Sequence, residues 1–224
     1  MRGFYALCMM LMLSTQIFSQ TTPAPPELKN SLDSFSYALG LSISNFYKEY
    51  GVKEINENLV VKAIQDVKKG TVLLNEDAVN AAIMHYLDEI KSREAADEKK
   101  KGAEFLAANK KKEGVVELPS GLQYKILREG AGTKPSASSE VMVHYVGKLL
   151  DGSIFDSSYE RGEPLRITVN RVIKGWTEAL ELMPAGSKWE IYIPSHLGYG
   201  DYGSGPIKPG ALLIFEVELL EVIQ

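Results

Sequence analysis

The candidate catalytic residues of this 224-residue chain are two histidines and two aspartates in its second half, and their spacing matches none of the common catalytic arrangements. His144 and His196 lie beside apolar runs, but no serine or cysteine nucleophile motif accompanies either histidine. Asp151 and Asp156 could act as paired carboxylates or cation ligands, yet their segment lacks the spacing of an EF-hand loop. A turn at Asp151 and Gly152, followed by one aspartate with a special role, is the simpler interpretation.

Two further kinds of site are disfavoured by composition and context. The chain has three histidines and one cysteine, which leaves little material for a zinc site with histidine and cysteine ligands. Residues 198–203 read GYGDYG and match the dinucleotide-binding pattern G-x-G-x-x-G. That pattern requires a helix immediately afterwards, and Gly205, Pro206, Pro209 and Gly210 prevent one. We therefore expect neither a metal nor a bound cofactor.

Composition indicates a folded protein without an extended nucleic-acid surface. Hydrophobic residues make up 45% of the chain, which is enough for a core in one or two domains. The net charge is −4, and the lysine clusters at residues 99–101 and 110–112 lie in a region where acidic residues are interleaved. Such a mixed pattern is typical of a solvated helix face, so no nucleic-acid partner is expected.

Residues 1–20 have the features of an export signal. A single charge at Arg2 is followed by an apolar run from Gly3 to Leu13, which is too short to span a bilayer. The turn-rich segment TTPAPP comes directly afterwards and predicts a linker over residues 21–30. Cleavage would remove Cys8 and leave a protein that is indifferent to an oxidising compartment. No other stretch is long and apolar enough to predict a transmembrane segment.

The region before Pro119 is expected to be helical, because residues 27–118 contain no proline. Its apolar residues recur at spacings of three and four, which predicts three amphipathic helices. The three stripes are Leu32, Phe35, Leu39, Ile43, Phe46 and Tyr50; then Leu59, Val60, Ala63, Ile64 and Val67; then Val79, Ile83, Tyr86 and Ile90. Asn75 is a favourable N-cap for the third helix.

The third helix is expected to continue well beyond its apolar stripe. Residues 91–113 are polar on all sides and contain no strong breaker before Gly114, so residues 75–112 would form one helix of about 57 Å. Helices with so wide an apolar stripe cannot bury it alone, which predicts a homodimer formed through residues 32–90. These patterns place a helical dimerisation domain at residues 31–90 and a connecting helix at residues 91–114.

Residues 115–224 are expected to form a β-rich domain with one helix. The segment EVMVHYVGKLL at residues 140–150 alternates as a strand does, and residues 176–183 have helical spacing. Further strand candidates are residues 123–128, 165–169, 188–194 and 212–222. The predicted fold class is α+β: a C-terminal antiparallel sheet wrapped on one short helix, preceded by an all-α N-terminal domain with a long connecting helix.

Five blocks of the second half resemble the FKBP-type peptidyl-prolyl cis–trans isomerases in order and spacing. They are VHYVGKLLDGSIFDSS at 143–158, VIKGW at 172–176, LMPAG at 182–186, IPSHLGYG at 193–200 and LIFEVEL at 213–219. The helical first half is similar in layout to the dimerising domain of the exported bacterial branch related to the macrophage infectivity potentiator. The resemblance implies a β half-barrel curled around the helix of Trp176, and a location in the periplasm or at the outer membrane.

The resemblance also implies a set of site residues around an apolar pocket between that helix and the sheet. The residues implied to act in catalysis are Tyr145, Phe155, Asp156, Tyr199 and Phe215. The residues implied to bind substrate are Arg161, Leu165, Val172, Ile173, Trp176 and Ile207. Trp176 is implied as the pocket floor, Ile207 as part of a flap, and Arg161 as the partner of Asp156. Leu165 and Ile167 stand where some members have aromatic residues, which should widen one wall.

An apolar pocket of this kind suits rotation about an X–Pro bond, which faces a barrier of about 18–20 kcal/mol but breaks no covalent bond. Stripping water from the carbonyl favours the less polar, twisted amide. The predicted function is therefore a peptidyl-prolyl cis–trans isomerase acting on proline-containing polypeptides while exported proteins fold. The resemblance implies that macrolides of the rapamycin and tacrolimus type compete for the pocket. Two alternatives remain open, a holding chaperone that binds unfolded chains and a proline-peptide-binding module with little turnover.

Overall fold

The computed structural model of the protein describes residues 27–223, and these residues form two compact units, 27–49 and 50–223. The predicted export signal at residues 1–20 lies outside the described residues. The first unit contains helix α1 (Ser31–Glu49), which begins where the Asn30 side chain accepts a hydrogen bond from the Asp33 N–H at 2.9 Å. Within the described residues, no side chain of α1 is buried.

Two further helices begin the second unit. Helix α2 (Glu57–Lys69) starts at the N-cap Asn56. Helix α3 (Glu76–Asn109) starts at the predicted N-cap Asn75, whose side-chain oxygen accepts a hydrogen bond from the Ala78 N–H at 2.9 Å. The 34 residues of α3 span about 51 Å, so the single long helix expected from the sequence is present. None of the helices in residues 27–223 combines the length and the apolar character that crossing a membrane requires.

The second half of α3 differs from the expectation that it is solvated on all sides. Ala95, Gly102 and Asn109 are buried, and their spacing of seven residues places them on one face of the helix. The Asn109 side chain donates a hydrogen bond to the side-chain oxygen of Gln123 at 3.0 Å, and both residues are fully buried. An alanine, a glycine and an asparagine make no apolar stripe, so the pattern that predicts the other helix faces does not detect this one.

Seven antiparallel strands form the sheet of residues 115–223. They are β1 (Val115–Glu117), β2 (Gln123–Arg128), β3 (Glu140–Lys148), β4 (Ile154–Ser157), β5 (Leu165–Thr168), β6 (Lys188–Ile193) and β7 (Leu213–Ile223). The hydrogen-bonded order is β1–β2–β6–β7–β3–β4, and β5 pairs with β3 outside this path. Helix α4 (Ser158–Arg161) follows β4 directly, and helix α5 (Lys174–Leu182) lies between β5 and β6. The predicted α+β class is confirmed.

The core of this unit includes α5 and alternate residues of the central strands. In β3, every second residue from Val141 to Tyr145 is buried, as the alternating sequence predicts. Helix α5 contributes the buried side chains of Trp176 and Leu180. A Cβ atom placed on Gly175 would lie 2.5 Å from the Ile193 side chain, so glycine at this position lets α5 approach the sheet closely. This close approach fixes where Trp176 lies relative to the strands.

Candidate active site

A pocket of about 450 Å³ is formed by residues of the sheet, of α5 and of the connecting segments. Its wall is largely aromatic and aliphatic, and its polar groups include one carboxylate, one guanidinium and two phenols. The lining residues are Tyr145, Phe155, Asp156, Leu165, Arg171, Val172, Ile173, Trp176, Tyr199 and Phe215. They come from distant parts of the sequence, so the pocket exists only once the sheet and α5 have packed together.

Three aromatic rings make the buried floor of the pocket. The Trp176 ring of α5 lies 5.1 Å from the ring of Tyr145 in β3 and 5.2 Å from that of Phe215 in β7. Both contacts are edge-to-face, with interplanar angles of 89° and 82°, which is a favoured arrangement of aromatic pairs. All three residues are at most 5% exposed. The three packed rings therefore form an apolar floor at the base of the pocket.

The aromatic wall depends on a glycine in the neighbouring strand. The Phe155 ring packs edge-to-face on Phe215 at 5.4 Å. A Cβ atom placed on Gly147 would lie 2.6 Å from Phe155 and 2.8 Å from Phe215, so any other residue would displace one of these rings. Sequence reasoning missed Gly147, although a glycine inside a strand is a recognised sign of close approach.

A polar cluster lies at one side of the pocket. The Tyr145 hydroxyl donates a hydrogen bond to Asp156 Oδ2 at 2.5 Å, and Arg161 donates one to Asp156 Oδ1. Arg161 Nη2 also donates to the Tyr145 hydroxyl at 2.8 Å. Helix α4 explains this arrangement, because it follows β4 without a loop and returns Arg161 to the aspartate five positions earlier. The predicted pairing of Arg161 with Asp156 is present.

These contacts alter the ionisation of the cluster. Burial acts to raise the pKa of the Asp156 carboxyl, but the hydrogen bonds from Tyr145 and Arg161 together with the guanidinium charge outweigh it, and the pKa is lowered. The pKa of the Tyr145 phenol is raised, first by burial and then by its hydrogen bond to the carboxylate. Asp156 is therefore ionised and Tyr145 protonated around neutral pH, as the donor and acceptor roles of the two groups require.

The structure brings together most of the residues predicted for the site. Of the eleven, nine line the pocket, while Arg161 contacts the site through Asp156 and Tyr145. Ile207 is outside the lining and is buried in the core at 6% exposure. Arg171 lines the pocket and was missed, although it directly precedes the block VIKGW.

Within residues 27–223, no group of three or more histidine, cysteine, aspartate or glutamate side chains is arranged to hold a metal ion. The chemistry that this pocket offers is burial of an apolar ring, with hydrogen-bonding groups at its edge.

Two family profiles match the chain and together cover most of it. Residues 131–220 match the profile described as FKBP-type peptidyl-prolyl cis-trans isomerase. Residues 32–126 match the profile described as the domain amino terminal to FKBP-type peptidyl-prolyl isomerase. Both halves therefore match the same kind of protein.

Individual proteins match over nearly the same length. The protein named outer membrane protein MIP of Legionella longbeachae is 41% identical over 204 residues, which is 87% of either chain. The FKBP-type 22 kDa peptidyl-prolyl cis-trans isomerase of Escherichia coli is 43% identical over 197 residues, covering 84% of this chain and 94% of that protein. The crystal structure of FkpA from Escherichia coli is similar with a TM-score of 0.68 at 32% identity, covering 88% of this chain and 99% of that one.

Proposed function

The chain belongs to the FKBP-type peptidyl-prolyl cis–trans isomerases, and we propose that its pocket binds the proline ring of a polypeptide on the Trp176 indole and speeds rotation of the preceding peptide bond. The isomerase activity and the proline-containing substrates follow from the family. The observation that supports this placement is the aromatic floor formed by Tyr145, Trp176 and Phe215, an apolar surface at the base of a pocket of about 450 Å³.

The proposed mechanism is selective stabilisation of the twisted amide. A planar X–Pro amide has a polarised carbonyl that water solvates, and the twisted form is less polar at that oxygen. An apolar wall removes the water and so raises the energy of the planar form relative to the twisted one. An acceleration of about 10⁴-fold needs about 5.4 kcal/mol, and burial of the ring with one or two hydrogen bonds can supply that.

Hydrogen-bond donors at the edge of the pocket would hold the substrate backbone. The Tyr199 hydroxyl and the backbone N–H of Ile173, which lies at the N-terminus of α5, are the proposed donors to substrate carbonyls. Without them, those carbonyls would be buried with no partner, which is costly. Asp156 is proposed to hold the phenol of Tyr145 and the guanidinium of Arg161 in place, so that the polar edge stays ordered beside the apolar floor.

A protease-coupled assay with a proline tetrapeptide tests this pocket. Phe155→Ala removes one wall and should lower kcat/KM by about tenfold, since a lost aromatic contact is worth about 1–2 kcal/mol. Ile154→Ala is the matched control, because Ile154 is the neighbouring residue of β4 and its side chain is exposed. Equal activity of the two variants would contradict the placement of substrate in this pocket.

Macrolides of the rapamycin and tacrolimus type are proposed to occupy the same pocket, as the resemblance implies. They should inhibit the tetrapeptide reaction competitively, and Phe155→Ala should weaken their binding while Ile154→Ala does not. Inhibition that is noncompetitive and insensitive to Phe155→Ala would place them elsewhere.

The quaternary structure and location form a second part of the proposal. We propose a homodimer in which the exposed apolar side chains of α1 are covered by a second copy, with residues 31–90 as dimerisation domain, 91–114 as connecting helix and 115–224 as isomerase domain. Leu32 and Phe35 are at least 60% exposed, which is unusual for a helix that carries so many apolar residues. We propose export to the periplasm or the outer membrane through the signal at residues 1–20, in keeping with the name of the Legionella relative, outer membrane protein MIP.

A holding-chaperone activity is a second candidate, favoured by an apolar depression of about 430 Å³ between α2 and the start of α3. Its lining includes Leu59, Ala63, Val67, Val72, Leu73, Leu74 and Val79. If unfolded chains bind there, Leu73→Asp should reduce suppression of aggregation of a denatured protein without changing tetrapeptide kcat/KM. Asn58→Asp, an exposed change in α2 outside this depression, is the control. Unchanged suppression by Leu73→Asp would exclude this candidate.

A further inference from the structure

The glycine-rich loop of residues 198–212, between β6 and β7, supplies one of the site residues. It contributes Tyr199 to the pocket, and its two limbs are joined where the Gly210 N–H donates a hydrogen bond to the Gly200 carbonyl at 2.9 Å. Five glycines lie in this loop, and a glycine-rich segment has more backbone conformations to lose on ordering than other sequences. The position of Tyr199 therefore depends on whatever holds the loop.

The buried face of α3 lies directly against this loop. A Cβ atom placed on Gly210 would lie 2.3 Å from the carbonyl oxygen of Ala95, so the loop backbone touches the helix backbone. Seven residues further along α3, a Cβ atom on Gly102 would lie 3.1 Å from the Leu212 Cβ. Small residues are therefore required on both the helix and the loop, because a larger side chain would not fit between the two backbones.

An ion pair ties the other limb of the loop to the same helix. Lys99 Nζ lies 2.5 Å from Asp201 Oδ1, and Asp201 is two residues beyond Tyr199. Gly200, between these two residues, is hydrogen-bonded to Gly210, which contacts the helix. The backbone that directly follows Tyr199 is therefore connected to α3, at Gly200 through the hydrogen bond to Gly210 and at Asp201 through the ion pair.

We propose that α3 is a positioning element of the isomerase, which holds the 198–212 loop so that Tyr199 faces the pocket before substrate arrives. The proposal rests on the proposed function of the pocket and adds Lys99, Gly102 and Gly210 to the residues on which substrate binding depends. An ordered loop loses less conformational entropy on binding than a free one, and this saving appears as a higher kcat/KM. The long helix would thus support the active site in addition to its proposed role as the connecting helix.

The test uses the full chain with a larger side chain introduced between α3 and the loop. Gly102→Val places a branched side chain against Leu212, and it should lower tetrapeptide kcat/KM by about fivefold. Ala103→Val is the matched control, because Ala103 is the next residue of α3 and is exposed, and it should leave kcat/KM unchanged. Leu212→Ala, combined with Gly102→Val, makes room for the larger side chain and should restore most of the activity. Circular dichroism and thermal unfolding establish that each variant is folded.

A double-mutant cycle with Tyr199→Ala separates positioning from a general loss of structure. If Gly102 acts through Tyr199, Gly102→Val should reduce kcat/KM by less than about twofold when the tyrosine is already absent. Additive effects in the two backgrounds, or full activity of folded Gly102→Val, would overturn the inference. If Tyr199→Ala alone retained full activity, the proposed pocket assignment of Tyr199 would fail instead, so the two failures are distinguishable.

Charge reversal provides an independent measurement if Gly102→Val does not fold. Lys99→Glu and Asp201→Lys should each lower kcat/KM by about twofold at low salt, since exposed ion pairs are weak. The doubly reversed variant should recover the wild-type value, and high salt should remove the differences. Equal activity of all four proteins at low salt would count against the ion pair as a support of the loop.

Discussion

The aromatic pocket and the first helix are both rich in large apolar residues, but these residues are packed together in the pocket and exposed on the helix. In the pocket, Trp176 and Phe215 pack against one another inside a single chain and are almost completely buried. In α1, Phe35 and Leu39 remain exposed, and no residue of that helix is buried within the described residues. The sheet and α5 supply both sides of their own core, whereas one amphipathic helix supplies only one side. The pocket is thus a surface completed within one chain, whereas the apolar face of α1 is one that we propose a second copy covers.

The largest effect is expected where the apolar face of α1 is made charged. The double substitution Phe35→Asp and Leu39→Asp should weaken the proposed dimer by more than about 100-fold, because it places four carboxylates in one interface and removes its apolar contacts. Analytical ultracentrifugation measures the dissociation constant, and Asn45→Asp, at an exposed polar position of α1 outside its apolar stripe, is the control. Tetrapeptide kcat/KM should stay the same in all three proteins. A persistent dimer would show that α1 is not the interface.

A smaller effect is expected at Gly147, the strand glycine that packs directly against two aromatic rings of the pocket. Gly147→Val should displace Phe155 or Phe215, lower kcat/KM by about 30-fold and reduce the free energy of unfolding by about 1–3 kcal/mol. Gly152→Val is the comparison variant, because a Cβ atom on Gly152 meets nothing within 4 Å although its φ of +85° adds backbone strain. Comparable losses of activity in the two variants would mean that backbone strain, and not the aromatic wall, is responsible.

An intermediate polar effect is expected at the edge of the pocket. Asp156→Asn keeps the size of the side chain but removes the charge that pairs with Arg161, and kcat/KM should fall by about three- to tenfold. Asp151→Asn, an exposed carboxylate in the preceding turn, should retain wild-type activity. Full activity of Asp156→Asn would limit the role of this carboxylate to its shape and hydrogen bonding.

The smallest effect is a pH dependence of stability. The folded-state pKa of Asp156 is lowered, so its contribution to stability is complete above the pKa of the unfolded chain and is lost as pH falls through the folded value. The difference in urea midpoint between wild type and Asp156→Asn should be constant above about pH 5 and should shrink below about pH 4. A difference that grew on acidification would contradict the lowered pKa.

Sequence motifs predicted the family, and they also named most of the residues that the structure brings to one pocket. The blocks around Phe155, Trp176 and Tyr199 led to a pocket that nine of the eleven predicted residues line. Apolar spacing predicted α1 and the start of α3, and the absence of a strong breaker before Gly114 predicted the length of α3. Ile207 was assigned to a flap on resemblance, and its side chain lies in the core outside the lining. Gly147 was missed because its role is to let Phe155 and Phe215 approach the strand, and Arg171 because a single basic residue beside a motif carries no pattern of its own.

The sequence by itself determined the local structures, the family and the identity of the aromatic residues. Periodicity, capping residues and short motifs are patterns among residues that are close in sequence, so they can be recognised without the fold. Only the tertiary structure decided that Ala95 and Gly102 of a polar helix lie against the loop that carries Tyr199. Small residues leave no apolar pattern, and their role is to permit close approach. Close approach is a relation between two segments, and it becomes visible only when both have been placed in space.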